Sequence, residues 1–210
     1  MKTSFDEIKR MSFRALDAAG APAGVDEDGA INTAWLESSG LPGLALLGDA
    51  LNGATRETAR GSIDPHFDGS GALVDAAGNS AVFLGVGLID LMISLQALHG
   101  DQAKLAVAAL RHAGFLTGFI GQARDRGHDI SMSPADPGDG PADIVLTSGN
   151  RLDMPDWEQL AACRKQSLAE GVSAPDSDFD RVFVYSRKIL VPETEESRLS
   201  GAGAGLTDND

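Results

Sequence analysis

The stretch SAVFLGVGLIDLMISLQALHGDQAKLAVAAL, residues 80–110, decides the fold class because it contains the one long apolar run of the chain, residues 81–98. A transmembrane helix needs about 20 predominantly apolar residues and is flanked by basic ones. Asp90 stands near the middle of this run, and basic flanks are missing. The run therefore predicts a buried core segment rather than a membrane span.

Three elements are predicted within this stretch. Residues 80–84 are predicted to form a strand, and residues 104–110 a second one. Between them a helical stripe ends near Gly100, with the members Leu88, Leu91, Met92, Leu95 and Leu98. If that helix begins near Gly87, Asp90 lies in its first turn, where exposed N–H groups stabilise a carboxylate.

Downstream of residue 110 the pattern alternates between helix and strand. Residues 115–123 indicate a helix and residues 128–133 a strand, so residues 104–133 fit a parallel crossover unit. Residues 144–147 are strand-like, residues 157–170 are helical, and residues 181–190 are predicted to form a strand.

Upstream, the chain opens with helices. Ser4 and Glu7 have the spacing of a capping box, and the helix that they start ends at Gly20. Residues 25–38 and a segment starting near Pro42 predict two more helices, and residues 54–80 a loop with short strands. The order of elements predicts an α+β domain, or a mixed α/β one, with a helical N-terminal layer packed on a mixed sheet. Residues 1–210 are interpreted as a single domain, with a helical subregion at 1–53 and a glycine-rich tail at 191–210.

Charge and cysteine content exclude several classes of protein. The chain has 17 Lys and Arg against 31 Asp and Glu, a net charge of -14, which disfavours nucleic-acid and anionic-membrane partners. Cys163 is the only cysteine, so an intrachain disulfide and multi-cysteine zinc sites are excluded. Residues 1–7 lack the apolar core of a signal peptide. We therefore expect a soluble, cytoplasmic protein.

The glycine-rich tail contains the most unusual group of candidate binding residues. Arg198 can hold a carboxylate or a phosphate, and backbone N–H groups of the alternating glycines can approach the same anion; these are Gly201, Gly203 and Gly205. Asp208 and Asp210 can hold a cation or an amine. The tail matches neither a phosphate-binding P-loop nor a dinucleotide fingerprint. The same composition is also typical of a terminus without a site.

Two histidines are candidate catalytic bases, and one of them belongs to a candidate metal set. Asp64, His66 and Asp68 are spaced by two, so in an extended segment their side chains point the same way and can share a metal ion. His112 precedes a predicted helix, where it serves either as a base or as a partly buried structural residue.

Both ends of the chain resemble one bacterial family. The closing run of residues 191–210 looks like its terminal signature, and the opening is similar at residues 4–8, at 35–37 and at Gly40-Leu41-Pro42-Gly43. The family is the bacterial domain-of-unknown-function family 3726. No reaction is assigned to it, so the resemblance implies no activity.

The opening also resembles the type-2 malate/L-lactate dehydrogenase family. Both begin with an acidic capped helix and a second helix after a glycine-rich turn, and Ser38-Ser39-Gly40-Leu41 stands where that family has Ser-His-Gly-Leu. Ser39 would match the catalytic histidine, but a serine cannot accept and return the substrate proton at neutral pH. The chain is shorter than those enzymes, and no stretch resembles their nicotinamide-binding segments.

These observations lead to three hypotheses. The first is a protein that binds a small anionic or zwitterionic ligand with help from the tail. The second is a small-acid enzyme that uses His66 or His112, either dehydrogenase-related or assisted by a metal at Asp64, His66 and Asp68. The third is an assembly module whose tail docks on a neighbouring subunit. The sequence identifies no cofactor; the expected partners are a small molecule and further copies of the chain.

Overall fold

A computed structural model describes residues 1–134, 140–149 and 155–189 of the chain. A short strand, β1 (Lys2–Thr3), is followed by three helices, as the sequence predicts. These helices are α1 (Phe5–Ala19), α2 (Val25–Ser38) and α3 (Gly43–Asn52). The Ser4 hydroxyl accepts a hydrogen bond from the Glu7 N–H at 3.1 Å and starts α1, while Gly20 ends it with a φ of 87°.

A five-stranded sheet forms the second layer. After the short helix α4 (Arg56–Ala59), the chain continues through β2 (His66–Asp68), β3 (Gly71–Asp75), α5 (Ala81–His99), β4 (Lys104–Leu110), α6 (Leu116–Asp125), β5 (Ile130–Ser133) and β6 (Ala142–Ser148). The strand order is β2-β3-β4-β6-β5. Neighbours β3 and β4 are parallel, and the other neighbouring pairs are antiparallel. The fold is therefore mixed α/β, in agreement with the predicted class.

The predicted crossover unit is present in a modified form. Strands β4 and β5 run in the same direction and are joined through α6, but β6 lies between them and pairs antiparallel with both. A second parallel connection, from β3 through α5 to β4, joins strands that are neighbours. The sequence does not predict this connection, because the composition of residues 54–80 indicates a loop with short strands.

The strand predicted at residues 80–84 is wrong, because helix α5 already begins at Ala81. The Ser80 hydroxyl accepts the Val82 N–H at 3.1 Å and caps the helix. Asp90 consequently lies in the middle of α5, where its side chain is exposed, and not in a first turn. A Cβ at Gly85 would lie 2.8 Å from the Phe119 ring, so glycine allows α5 to pack closely against α6.

The strand predicted at residues 181–190 is also wrong. Beyond α7 (Trp157–Glu170) and β7 (Val172–Ser173), which pairs with β1, the chain forms α8 (Asp176–Ser186) and a 3₁₀ turn at Arg187–Ile189. Phe179 and Val182 are buried at helical spacing against the N-terminal layer. Arg181 pairs with Asp49 of α3 and with Asp178, which fixes α8 against α3.

Among the described residues, one helical segment is long and apolar enough to cross a membrane, Ala81–Gln102. Half of it is buried within the protein. Its buried side chains include Leu88, Met92 and Leu95, which belong to the same core as Leu36 of α2 and Phe115 before α6. This agrees with the prediction of a core segment.

Candidate functional site

A cavity of about 200 Å³ lies where the parallel strands β3 and β4 end. The turn after β3 leads into α5, and Arg111 and His112 directly follow β4. The last turn of α3 forms the opposite wall. The polar lining consists mainly of Asn52, Thr58, Asn79, Ser80, Arg111 and His112. In open α/β sheets, the crevice outside the carboxyl ends of the strands is where ligands bind.

Backbone hydrogen bonds join the two segments that border the cavity. The Arg111 N–H donates to the Asn79 carbonyl at 2.9 Å, and the Arg111 carbonyl accepts from the Ala81 N–H at 2.8 Å. The Gly78 N–H donates to the Ala109 carbonyl at 3.0 Å. These bonds fix Arg111 and His112 relative to the start of α5.

Backbone strain is concentrated in the same two segments. Three non-glycine residues of the described chain have a positive φ: Ala77 at 49°, Ala109 at 52° and His112 at 53°. Each such residue costs about 1–3 kcal/mol, and strain of this kind clusters at functional sites. The β4–β6 register also shifts between Val107 and Leu110, as at a β-bulge.

The His112 side chain is held by Ser80. The imidazole is only 6% exposed, and its Nδ1 lies 2.9 Å from the Ser80 Oγ. The hydroxyl also accepts the Val82 N–H, so one serine both caps α5 and orients the ring. An oriented imidazole at a cavity wall can donate or accept a hydrogen bond, or transfer a proton.

Two charged side chains that are ionised at neutral pH line the cavity, Arg111 and Asp49. Arg111 is exposed and forms no ion pair with any residue that the structure describes. Asp49, on the opposite wall, is paired with Arg181. The positive end of α5 adds a partial positive charge. Arg111 is therefore the lining residue whose side chain can hold an anion.

The candidate metal set of Asp64, His66 and Asp68 is not assembled. All three side chains are exposed, and β2 begins only at His66, so the strand alternation does not extend to Asp64. Within residues 1–134, 140–149 and 155–189, no three His, Cys, Asp or Glu side chains are grouped so that they could hold a metal ion. His66 lies on the edge strand and does not line the cavity.

The tail candidates lie outside the described residues; they are Arg198, Gly201, Gly203, Gly205, Asp208 and Asp210. Their binding roles stay predictions.

The segment Ser38-Ser39-Gly40-Leu41 contains the last residue of α2 and the turn that leads to α3, and it does not line the cavity. Ser39 is 3% exposed, and its Oγ has no hydrogen-bond partner among the residues that the structure describes. The neighbouring Glu37 carboxylate accepts the Leu44 N–H at 2.9 Å and so caps α3. Burial raises the pKa of Glu37, and the Leu44 hydrogen bond partly opposes that rise. The role of this segment is structural in the described fold.

Sequence reasoning found His112 but missed Arg111, Asn79 and Ser80. A usable signal was present, because polar residues directly follow a predicted strand at 111–112 and directly precede a long apolar run at 79–80. Their convergence depends on the parallel pairing of β3 with β4, which local sequence does not encode.

Residues 3–81 match the family described as protein of unknown function (DUF3726). This confirms the resemblance predicted for the opening of the chain, and the resemblance predicted for residues 191–210 stays a prediction. The matched segment extends from β1 to the first residue of α5, and the tail is outside it. No curated protein matches the sequence.

Several solved dehydrogenase and reductase structures are similar in fold. A dehydrogenase from Sinorhizobium meliloti has a TM-score of 0.64 at 11% identity, covering 89% of this chain and 99% of that one. Malate dehydrogenase from Entamoeba histolytica has a TM-score of 0.60 at 9% identity, covering 92% and 99%. Delta1-piperideine-2-carboxylate reductase from Pseudomonas syringae pvar. tomato has a TM-score of 0.51 at 11% identity, covering 88% and 99%. At these identities the similarity shows the fold alone, which is like that of these dehydrogenases and this reductase.

Proposed function

We propose that the protein binds a small carboxylate-bearing molecule in the cavity at the ends of β3 and β4. The observation that carries this proposal is the position of Arg111 and His112, consecutive residues that line one cavity beside the start of α5. A guanidinium group binds a carboxylate through two parallel hydrogen bonds. The imidazole, oriented by Ser80, then contacts a second polar group of the ligand, such as a hydroxyl or keto oxygen.

The cavity size supports a small ligand. Pockets for drug-sized molecules measure about 300–1,000 Å³, and this cavity measures about 200 Å³. A molecule the size of a small acid is therefore the best match to its volume. The similar solved structures include a malate dehydrogenase, and malate is a small hydroxy acid. Hydroxy and keto acids are therefore the first ligands to test.

The tail is the proposed second contributor to this site. Arg198 and the N–H groups of Gly201, Gly203 and Gly205 can bind a second carboxylate, and Asp208 and Asp210 can bind an amine. With these residues the ligand class extends to zwitterions such as amino acids.

A second candidate function is catalysis with His112 as the general acid and base. The hydrogen bond between the Ser80 Oγ and the His112 Nδ1 favours it, because a catalytic imidazole needs a fixed ring orientation. The two functions differ in the effect of His112→Gln. If the protein is an enzyme, this variant keeps most of its ligand affinity and loses turnover, whereas a binding protein shows no turnover in either form.

The test is a thermal-shift screen of the full chain against hydroxy acids, keto acids, amino acids and inorganic phosphate. A ligand at 100 times its Kd adds about 2.7 kcal/mol to the free energy of unfolding, which raises the Tm of a chain of this size by about 5–10 °C. We expect a shift with acids and none with the matching amides. Removal of residues 198–210 should reduce the shift. An equal response to acids and amides would contradict the proposal.

A further inference from the structure

We infer that residues 190–196 bind in a groove beside α1, close to the point where the described chain reaches Ile189. The groove is called the α1 groove below. Four of its lining residues are on α1: Lys9, Arg10, Phe13 and Arg14. This inference is independent of the ligand proposed above.

The α1 groove is large and mainly apolar. It encloses about 520 Å³ between α1, the first half of α2 and the final 3₁₀ turn. Phe13 is 39% exposed and Ile189 is 36% exposed, and Ala30 of α2 completes the apolar lining. Phe13 and Ile189 therefore leave an apolar surface exposed in one groove, and a larger exposed apolar surface of this kind normally marks a site of interaction.

The rim of the groove is positively charged. Arg10 and Arg14 are four residues apart and therefore lie on the same face of α1. Neither forms an ion pair with a residue in the described part of the chain. The Lys9 Nζ lies 3.4 Å from the Asp6 Oδ1 and is paired with it. Glu27 is the one acidic residue of the described lining. The groove thus presents a net positive charge on a chain whose net charge is -14.

The segment that follows Ile189 has apolar residues first and acidic residues after them, which complements the apolar lining and the basic rim of the groove. Ile189, the last described residue, itself lines the groove, so the chain leaves the described part at this surface. Residues 190–196 read LVPETEE, with two apolar residues first and three glutamates after them. Leu190 and Val191 would cover Phe13, and Glu193, Glu195 and Glu196 would then be within reach of Arg10 and Arg14. Because the segment is tethered, its effective concentration is in the millimolar range, and weak ion pairs suffice.

The experiment is hydrogen exchange measured by mass spectrometry on the full chain without ligand. We expect amides in residues 190–196 to exchange about tenfold more slowly than in an unstructured peptide, and 0.5 M salt to reduce that protection because it screens exposed charges. The double variant Arg10→Glu/Arg14→Glu should lose the protection, since each pair becomes repulsive. The matched control, Arg126→Glu/Lys165→Glu, changes two exposed basic residues that do not line the groove and should keep it.

A rescue variant separates lost docking from a damaged fold. Changing Glu193, Glu195 and Glu196 to lysine in the Arg10→Glu/Arg14→Glu background should restore the protection. Exchange of residues 190–196 at the unstructured rate in the unmodified chain would overturn the inference. It would equally be overturned if Arg10→Glu/Arg14→Glu left the exchange unchanged and altered the oligomeric state, because a second copy of the chain would then occupy the groove. Neither result bears on ligand binding at Arg111, which the thermal-shift screen measures separately.

Discussion

Replacement of Gly118 by alanine is expected to lower the free energy of unfolding by about 3–5 kcal/mol. Gly118 is buried on α6 where this helix meets α2. A Cβ there would overlap the Asn32 Oδ1 atom and lie 2.9 Å from the Leu36 Cγ. The fully buried Asn32 donates to the Phe115 carbonyl at 2.8 Å and accepts from Gln122 at 2.7 Å. Displacement of its amide would break both bonds and leave buried polar groups without partners.

The measurement is urea unfolding of the variant beside Gly114→Ala. Gly114 lies four residues earlier, and a Cβ there would meet nothing closer than 3.9 Å, at a Leu46 methyl group. We expect this control to change the free energy of unfolding by less than about 1 kcal/mol. Equal effects of the two substitutions would show that α2 and α6 do not pack as closely as described.

Replacement of Arg111 by glutamine is expected to weaken binding of the small acid by about 10–100-fold. Hydrogen bonds to charged groups contribute about 1.5–3 kcal/mol, and every 1.4 kcal/mol is tenfold in Kd. Because Arg111 is exposed and unpaired within the described residues, its loss should change the free energy of unfolding by less than about 0.5 kcal/mol.

Isothermal titration with the acid that gives the largest thermal shift provides the affinities. Arg126→Gln is the control, since Arg126 is an exposed arginine at the end of α6 that does not line the cavity. Arg111→Lys should retain part of the affinity, because an ammonium group keeps the charge but not the two parallel hydrogen bonds. Unchanged affinity in Arg111→Gln would exclude Arg111 from the site.

The elements that the sequence predicted correctly have strong local signals. Ser4 and Gly20 mark both ends of α1, and alternation around Leu105 and Val107 indicates β4. The errors arise where local signals are weak. Residues 81–86 contain no polar side chain, so this short stretch has no period that separates a strand from a helix. The Phe179–Ser186 segment is rich in β-branched and aromatic residues, yet Arg181 and the buried Phe179 hold it as a helix against α3.

Only part of the candidate site could be predicted from the sequence. His112 is a candidate from the sequence alone, but Ser80, which contacts its ring, lies 32 residues earlier in the chain. Asn79, which accepts the Arg111 N–H, also lies 32 residues before its partner. These pairs form because β3 and β4 are parallel neighbours with α5 between them in sequence. Pairing over this sequence distance follows from tertiary structure, not from local propensity.

The central claim, a ligand site formed by Arg111 and His112, is tested most directly by histidine NMR. The chain has four histidines, His66, His99, His112 and His128, and of these His112 lines the cavity. Long-range ¹H–¹⁵N spectra of the full chain resolve each imidazole, and His112→Gln assigns the signal of interest. Titration with the acid that gives the largest thermal shift is predicted to move the His112 ring resonances and to leave the other three in place. Binding of the acid with the His112 resonances unmoved, or with a shift at His66 instead, would contradict the account.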